Sequence, residues 1–424
     1  MKTHRDANDR VREDGEDAYR AQFDEAVARG PYRPDGEALI EATPMPWENP
    51  ASLPTRQWLY PRVYVRKFMT ATIAPSGAGK TGLIQVEALS MVSGRDLLHD
   101  GYKGPPLRVW LWNGEDPHDE LKRQIYAGIQ HYGLGRVDIG GRLFLDSGRD
   151  QKINLARLVK NELKVDRAMV DALIDTIRNN QIDVALFDPF VTLHSAPENS
   201  NDSMDVIAAL LAEVADATNS AIGIVVHTRK PASGFNGPIT SDDARGGGAI
   251  VAKTRVARVL NRMTPAEAEA AGIEGKNAHR LYFRIGLDKA SLTPPDEDDS
   301  WRHLKSVRLP NGETEFDGDS VRVVVRWNYP DALASVTPAH VEIMQRRIGE
   351  PPSAGDHWRE NSQAEFWAGH LVGEVVGFTT TDTPGRKKAG RILDAWIESG
   401  ALKKSSLICA DRKSHPCIVK GPNS

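Results

Sequence analysis

From Thr70 onward, short runs of consecutive apolar residues alternate with stretches of helical periodicity, and that alternation limits the folds open to this chain. "TATIA" precedes a helix expected from Gly79 to about Val92, and "RVWLW" precedes one starting near Pro117. "RLFLD" precedes a helical stretch around Ala168 to Asn179, "DVALFD" one over Met204 to Asn219, and "AIGIVVH" follows. A strand that is apolar at nearly every position must be buried on both faces. Such strands alternating with helices are the signature of a parallel sheet covered by helices on both faces. Three further runs, "HRLYFRIGL", "RHLKSVRL" and "VRVVVRW", lack helices between them and are expected as antiparallel additions to the far edge of the sheet.

Composition sets the outer bounds. The chain has 424 residues, 40% of them apolar and 26% charged, which is ordinary for a globular protein with two or three domains. No apolar run reaches the roughly 18 residues of a membrane span. The first residues, "MKTHRDANDRVREDGED", lack the apolar stretch of a secretory signal, so a cytoplasmic protein with no membrane partner is expected. Cys409 and Cys417 are too few for a disulfide framework. With a net charge of −4, any nucleic-acid site has to be a local basic patch. Residues 1–45 read as a mobile charged segment in which "DAYRAQFDEAVARG" forms at most one short helix.

The sharpest local signal is "APSGAGKT", Ala74, Pro75, Ser76, Gly77, Ala78, Gly79, Lys80 and Thr81, between the first strand and its helix. It follows the phosphate-loop pattern G-x-x-x-x-G-K-[ST] except that Ala74 stands at the first position. A strand–loop–helix junction presents unpaired backbone N–H groups and the positive end of the helix dipole to an anion. Gly77 and Gly79 let backbone approach phosphate, Lys80 reaches the β- and γ-phosphates, and Thr81 supplies a hydroxyl for Mg²⁺. The cofactors this implies are ATP and Mg²⁺. Ala74 occupies the end of the strand, where a methyl group fits as long as the backbone stays extended.

Three more residues fall at the carboxyl ends of expected strands, the edge where open α/β sheets bind ligands. Asp188 ends "DVALFD" and suits a Walker B aspartate that holds the cation with Thr81. Glu115, in "VWLWNGEDP", is placed to activate the attacking water, whereas Asp116 beside it better suits the start of the helix after Pro117. His227, ending "IGIVVH", is placed to sense the γ-phosphate. Each has a plainer alternative as a strand-end cap, a helix-start residue or a structural histidine.

In this order the motifs resemble the RepA-like branch of the RecA-type ATPases, the hexameric plasmid replicative helicases. The resemblance runs from about Trp58 to about Leu304 and is strongest in "DDARGGGAIVAKTRVARVLNRMTPAEAEAAGI" and "HRLYFRIGLDKAS". It implies a RecA-like P-loop NTPase core at 46–330, a ring of subunits, and an ATP site completed by a neighbour's arginine. Arg255 matches that arginine, with Arg245 as second choice. It also implies a channel for single-stranded or forked DNA. "HSAPENSNDS" and "TRKPASGFNGPITSDDARGGG" read as long polar loops, and Arg229, Lys230 and Arg245 in the second are candidates to follow a phosphate backbone.

From 336 to 424 the chain reads as a separate small domain. "TPAHVEIMQRRIG", "SQAEFWAGHLVGEVV" and "PGRKKAGRILDAWIESG" are three expected helices, and "ALKKSSLICA" with "HPCIVKG" an expected hairpin. Three helices and a hairpin resemble a winged helix. Arg386, Lys387, Lys388 and Arg391 put a basic face on the third helix, suited to DNA. A protein-binding role for the same tail stays open.

Overall fold

The computed structural model describes residues 42–422 apart from 161, 230–236, 295–299, 315–316 and 331–335. The short helix considered within the first 45 residues and the loop residue Lys230 lie outside the described residues. The chain divides into two units, one ending at Arg56 and the other beginning at Gln57. Among the described residues of the first, Asn49 caps a single 3-10 turn over Pro50–Ser52, and Met45 and Trp47 are exposed.

The second unit is built on a nine-stranded sheet. Its strands are β1 (Met69–Ala74), β2 (Val109–Asn113), β3 (Leu143–Ser147), β4 (Val184–Asp188), β5 (Ala221–His227), β6 (Val256–Arg262), β7 (Tyr282–Ala290), β8 (Ser300–Arg308) and β9 (Ser320–Arg326). In space they run β9-β8-β7-β6-β1-β5-β4-β2-β3. The six from β6 to β3 are parallel, and β7, β8 and β9 extend the sheet antiparallel from β6. This is the α/β architecture expected from the alternation.

The helices are α1 (Lys80–Ser93), α2 (His118–Tyr132), α3 (Arg167–Asn179), α4 (Asn201–Thr218), α5 (Gly247–Lys253) and α6 (Pro265–Ala270). Successive strand residues point to opposite faces, and both faces are apolar. Val184 and Leu186 join a core with Leu83, Leu89 and Ile125 of α1 and α2. Ala185 and Phe187 join a second core with Leu173, Ile177, Ile207 and Leu211 of α3 and α4. Phe283, Leu304 and Val324 of the antiparallel strands lie in the α1 core, so the extension curls over the start of α1.

Two local expectations need correction. The stretch between β3 and α3 is not simply a lead into a helix: residues 156–159 and 162–165 pair as a hairpin, with His194–Ser195 added as a third, parallel strand. The "HSAPENSNDS" loop is also shorter than its polarity suggests. Ser200 accepts a hydrogen bond from the Ser203 N–H and caps α4, so Asn201, Asp202 and Ser203 form the first helical turn. Polar residues there serve the helix start rather than a loop.

The C-terminal part contains α7 (Pro338–Arg347), α8 (Ala368–Val376), α9 (Thr383–Glu398) and a hairpin of β10 (Leu402–Ile408) and β11 (Ser414–Lys420). It has its own core of Met344, Trp367, Leu371, Ile392, Trp396 and Leu402, with no member in the two sheet cores. α8 starts six residues later than the pattern from Ser362 suggests. Its N-cap is Trp367, which offers no side-chain acceptor for the first turn.

Candidate functional site

The parallel register brings the ends of β1, β2, β4 and β5 to one edge of the sheet. His227 lies beside Ala74, and Asn113 beside Asp188. Gly77 and Gly79 adopt φ +69° and +100°, a left-handed region that L side chains rarely enter. A Cβ on Gly79 would also lie 2.8 Å from the Phe283 ring. Gly79 is the N-cap of α1 and offers no side-chain acceptor, so the first N–H groups of the helix have no capping side chain. Ala74 is buried, extended and at the strand end, as its substitution for glycine requires.

Lys80 is buried. Its ammonium donates to the carbonyls of Ala74 and Pro75, both at 3.0 Å, and stands 3.1 Å from Nδ1 of His227. Burial pulls its pKa down to about 8 despite the opposing pull of Asp188 and Glu115. The Thr81 hydroxyl donates to Oδ2 of Asp188 at 2.5 Å. Burial pushes Asp188 up to about 6, against the Thr81 hydrogen bond and the Lys80 charge, which favour the ionised form. A buried carboxylate and hydroxyl in contact at the mouth of a phosphate loop are the donor set that Mg²⁺ takes alongside nucleotide phosphates. These residues therefore fit both the nucleotide and its cation.

Glu115 and Asp116 face different surroundings. The Asn113 side-chain carbonyl accepts from both backbone N–H groups, at 2.9 and 2.8 Å, fixing the turn. The Asp116 carboxylate takes a 3.2 Å hydrogen bond from Gln124 on α2. The Glu115 side chain is exposed at the rim, and its charge reaches both Lys80 and Asp188. His227 is held neutral by burial and by the charges of Lys80 and Arg245, with its pKa pulled down to about 4.

The arginines separate. Arg245 hydrogen-bonds through its backbone N–H to the His227 carbonyl at 2.9 Å, and its guanidinium pairs with Glu198 at 3.2 Å. Arg229 is exposed on the same stem, where its N–H donates to Asp243 at 2.8 Å. Arg255 lies at the start of β6, donates to the Met69 carbonyl and sits over the Phe68 ring. It is thus at the opposite end of β1 from the phosphate loop, roughly 17 Å away at about 3.3 Å per strand residue. It cannot reach the loop of its own chain.

On α9 the basic face is engaged within the chain. Arg386 donates to the Ser362 carbonyl and stacks over Trp367, Lys387 pairs with Glu269 of α6, and Lys388 sits over Phe378. Arg391 is half-buried. Sequence reading passed over one residue at the edge: Arg262 ends β6, and its guanidinium donates to the Ser76 carbonyl at 2.6 Å. The signal was a basic residue closing an apolar strand, the same position that singled out Asp188 and His227.

Residues 37–233 match the AAA domain family. The crystal structure of the RadB recombinase is a similar solved structure, at 13% identity over 57% of this chain and 89% of that chain, with a TM-score of 0.37. Among the described residues no helix is long and apolar enough to cross a membrane. Over the residues that match the AAA domain family, Lys80, Thr81 and Asp188 converge on one glycine loop at the edge of an α/β sheet, the arrangement of a phosphate-binding loop.

Proposed function

We propose that this protein is an ATP-dependent DNA motor of the replicative-helicase kind, serving a plasmid, phage or mobile element and hydrolysing ATP between the subunits of a hexameric ring. The observation that carries the reading is the division of the site across the sheet. Lys80, Thr81, Asp188, Glu115 and His227 meet at one edge, while Arg255 stands at the other end of β1, out of reach of its own loop, a position that suits an arginine offered to a neighbour's nucleotide. Lys80 binds the phosphate tail, Thr81 and Asp188 hold Mg²⁺, Glu115 takes the proton of the attacking water, and His227 reports the γ-phosphate. Mg²⁺ supplies charge neutralisation at the transferring phosphoryl group. The partner's arginine stabilises the charge that develops there.

The DNA is single-stranded or forked and runs along Arg229, Lys230 and Arg245. The three C-terminal helices and hairpin act as a winged helix whose α9 face, with Arg386, Lys387, Lys388 and Arg391, adds phosphate contacts. For that face to bind DNA, Lys387 must leave Glu269. The second reading is a regulatory or loader ATPase that switches assembly state without unwinding, and the engagement of α9 within the chain favours it.

The deciding experiment is strand displacement on a forked DNA with ATP, run beside a measurement of oligomeric state. A ring that unwinds supports the motor. A DNA-stimulated ATPase that assembles but leaves the fork intact supports the loader.

A further inference from the structure

Arg262 ends β6, which lies parallel to β1 with Val259 beside Ile73. Continuing that register carries Arg262 two residues past the end of β1, level with the apex of the phosphate loop. Its Nη2 donates to the Ser76 carbonyl at 2.6 Å, and a Cβ built on Gly77 would lie 2.9 Å from the same nitrogen. A guanidinium carries five N–H donors. The Ser76 carbonyl engages one group, and among the described residues Arg262 has no carboxylate partner.

A second cation stands close by. The Arg280 charge lowers the pKa of Arg262, beyond the effect of burial, and the Arg262 charge lowers that of Lys80. Arg280 is exposed and has no ion-pair partner among the described residues. Lys80 and Arg262 therefore both reach one glycine loop, the charge of Arg280 is felt at Arg262, and Asp188 lies on the far side of the loop, toward β4. Like charges gathered this way repel, and an anion between them relieves the repulsion. A tether for Ser76 would gain nothing from Arg280, whereas a phosphate site would.

We propose that Arg262 is a nucleotide-binding residue that acts within its own chain, holding the phosphate tail of the nucleotide in the phosphate loop, with Arg280 strengthening the field. The planar fork matches two phosphate oxygens at once and is exposed enough to turn from Ser76 toward them. This rests on the reading of the loop as the nucleotide site, and it gives the two ends of β6 different tasks: Arg255 for a neighbour's nucleotide, Arg262 for its own.

The test is equilibrium binding of ATP, ADP and AMP to the full chain, comparing the native protein with Arg262→Ala, Arg262→Lys, Arg280→Ala and Lys80→Ala. Arg262→Ala is expected to weaken ATP by about 10- to 100-fold, the effect of one to two charge-assisted hydrogen bonds. ADP should lose less and AMP almost nothing. Arg262→Lys, which keeps the charge without the fork and preserves the surface if the alanine variant misfolds, should recover part of the loss. Arg280→Ala should show a smaller loss with the same dependence on phosphate number. Equal losses for all three nucleotides would make Arg262 a tether of the loop and overturn the proposal. So would unchanged ATP affinity in Arg262→Ala and Arg262→Lys when Lys80→Ala has lost it. A native protein that binds none of the three removes the nucleotide site itself, a different failure that is read before any variant.

Discussion

The Lys80 ammonium stands 3.1 Å from Nδ1 of His227, across the ends of two adjacent parallel strands. An ammonium has only protons to offer, so Nδ1 must accept and the ring proton must sit on Nε2. The low pKa of His227, about 4, follows from burial and from this neighbour. Any group that draws Lys80 away would also take this donor from His227.

Lys80→Ala removes the one charge buried inside the loop. ATP hydrolysis should fall to background in a phosphate-release assay, and nucleotide affinity should drop with it. Turnover near that of the native protein would exclude the loop as the catalytic site. The fold should survive, because burial already disfavours the Lys80 charge and its hydrogen bonds are confined to the loop and His227.

Binding of Mg²⁺–nucleotide should be strongest between about pH 6 and pH 8. Below about 6, Asp188 takes up a proton and can no longer hold the cation; above about 8, Lys80 loses its proton and the phosphates lose their partner. The sign can be checked on stability as well. Asp188 is raised in the folded state, so its ionisation costs stability as pH rises through about 6, and bound cation should restore it. Titrations across pH 5–9 that show one flat affinity would contradict both assignments.

Glu115→Gln should keep nucleotide affinity and slow hydrolysis by about 10²–10⁴-fold, the span of a positioned general base. The side chain is exposed, so stability should change little and the kinetics carry the result. Normal turnover would leave Glu115 as a residue of the turn before α2.

Arg258 and Glu87 form a fully buried ion pair with hydrogen bonds from Arg258 to Thr72 and from Tyr64 to Glu87. Removing one partner strands the other charge in the core. Glu87→Ala should therefore destabilise by about 3–5 kcal/mol, read as the shift in a denaturant midpoint. A loss below about 1 kcal/mol would mean that water reaches Arg258.

Mixing tests the role of Arg255. Arg255→Ala keeps an intact loop, and Lys80→Ala keeps an intact arginine. Each alone should be nearly inactive, since an arginine finger contributes about 10³–10⁵ in rate in related systems. Mixed assemblies should recover part of the activity, because some interfaces then join the intact halves. No recovery in assemblies shown by native mass spectrometry to be mixed would exclude action across subunits, and full activity of Arg255→Ala alone would move the role to Arg245.

The sheet was legible because its strands are apolar on both faces, a pattern that Val184, Ala185, Leu186 and Phe187 impose without help from distant residues. The site edge was legible because polar residues close those strands, as Asp188 and His227 do. Contacts that depend on tertiary placement were not. The 156–165 hairpin alternates too weakly to announce itself, and the start of α8 is set by packing around Trp367 rather than by a polar cap. Arg262 comes to lie over Ser76 through the β6–β1 register, which a local reading of the sequence does not give. The basic face of α9 reads as open in sequence because nothing local shows that Glu269, more than a hundred residues earlier, pairs with Lys387.

The separate core of the C-terminal part bears on how such a chain can change. Its apolar residues, Met344 through Ile418, pack among themselves, and the two sheet cores close without them. A lineage could therefore exchange this tail for another small module, or duplicate it, while the ATPase sheet went on folding from the same residues. What an exchanged module would have to reproduce is surface rather than interior: a cation to meet Glu269 where Lys387 now does.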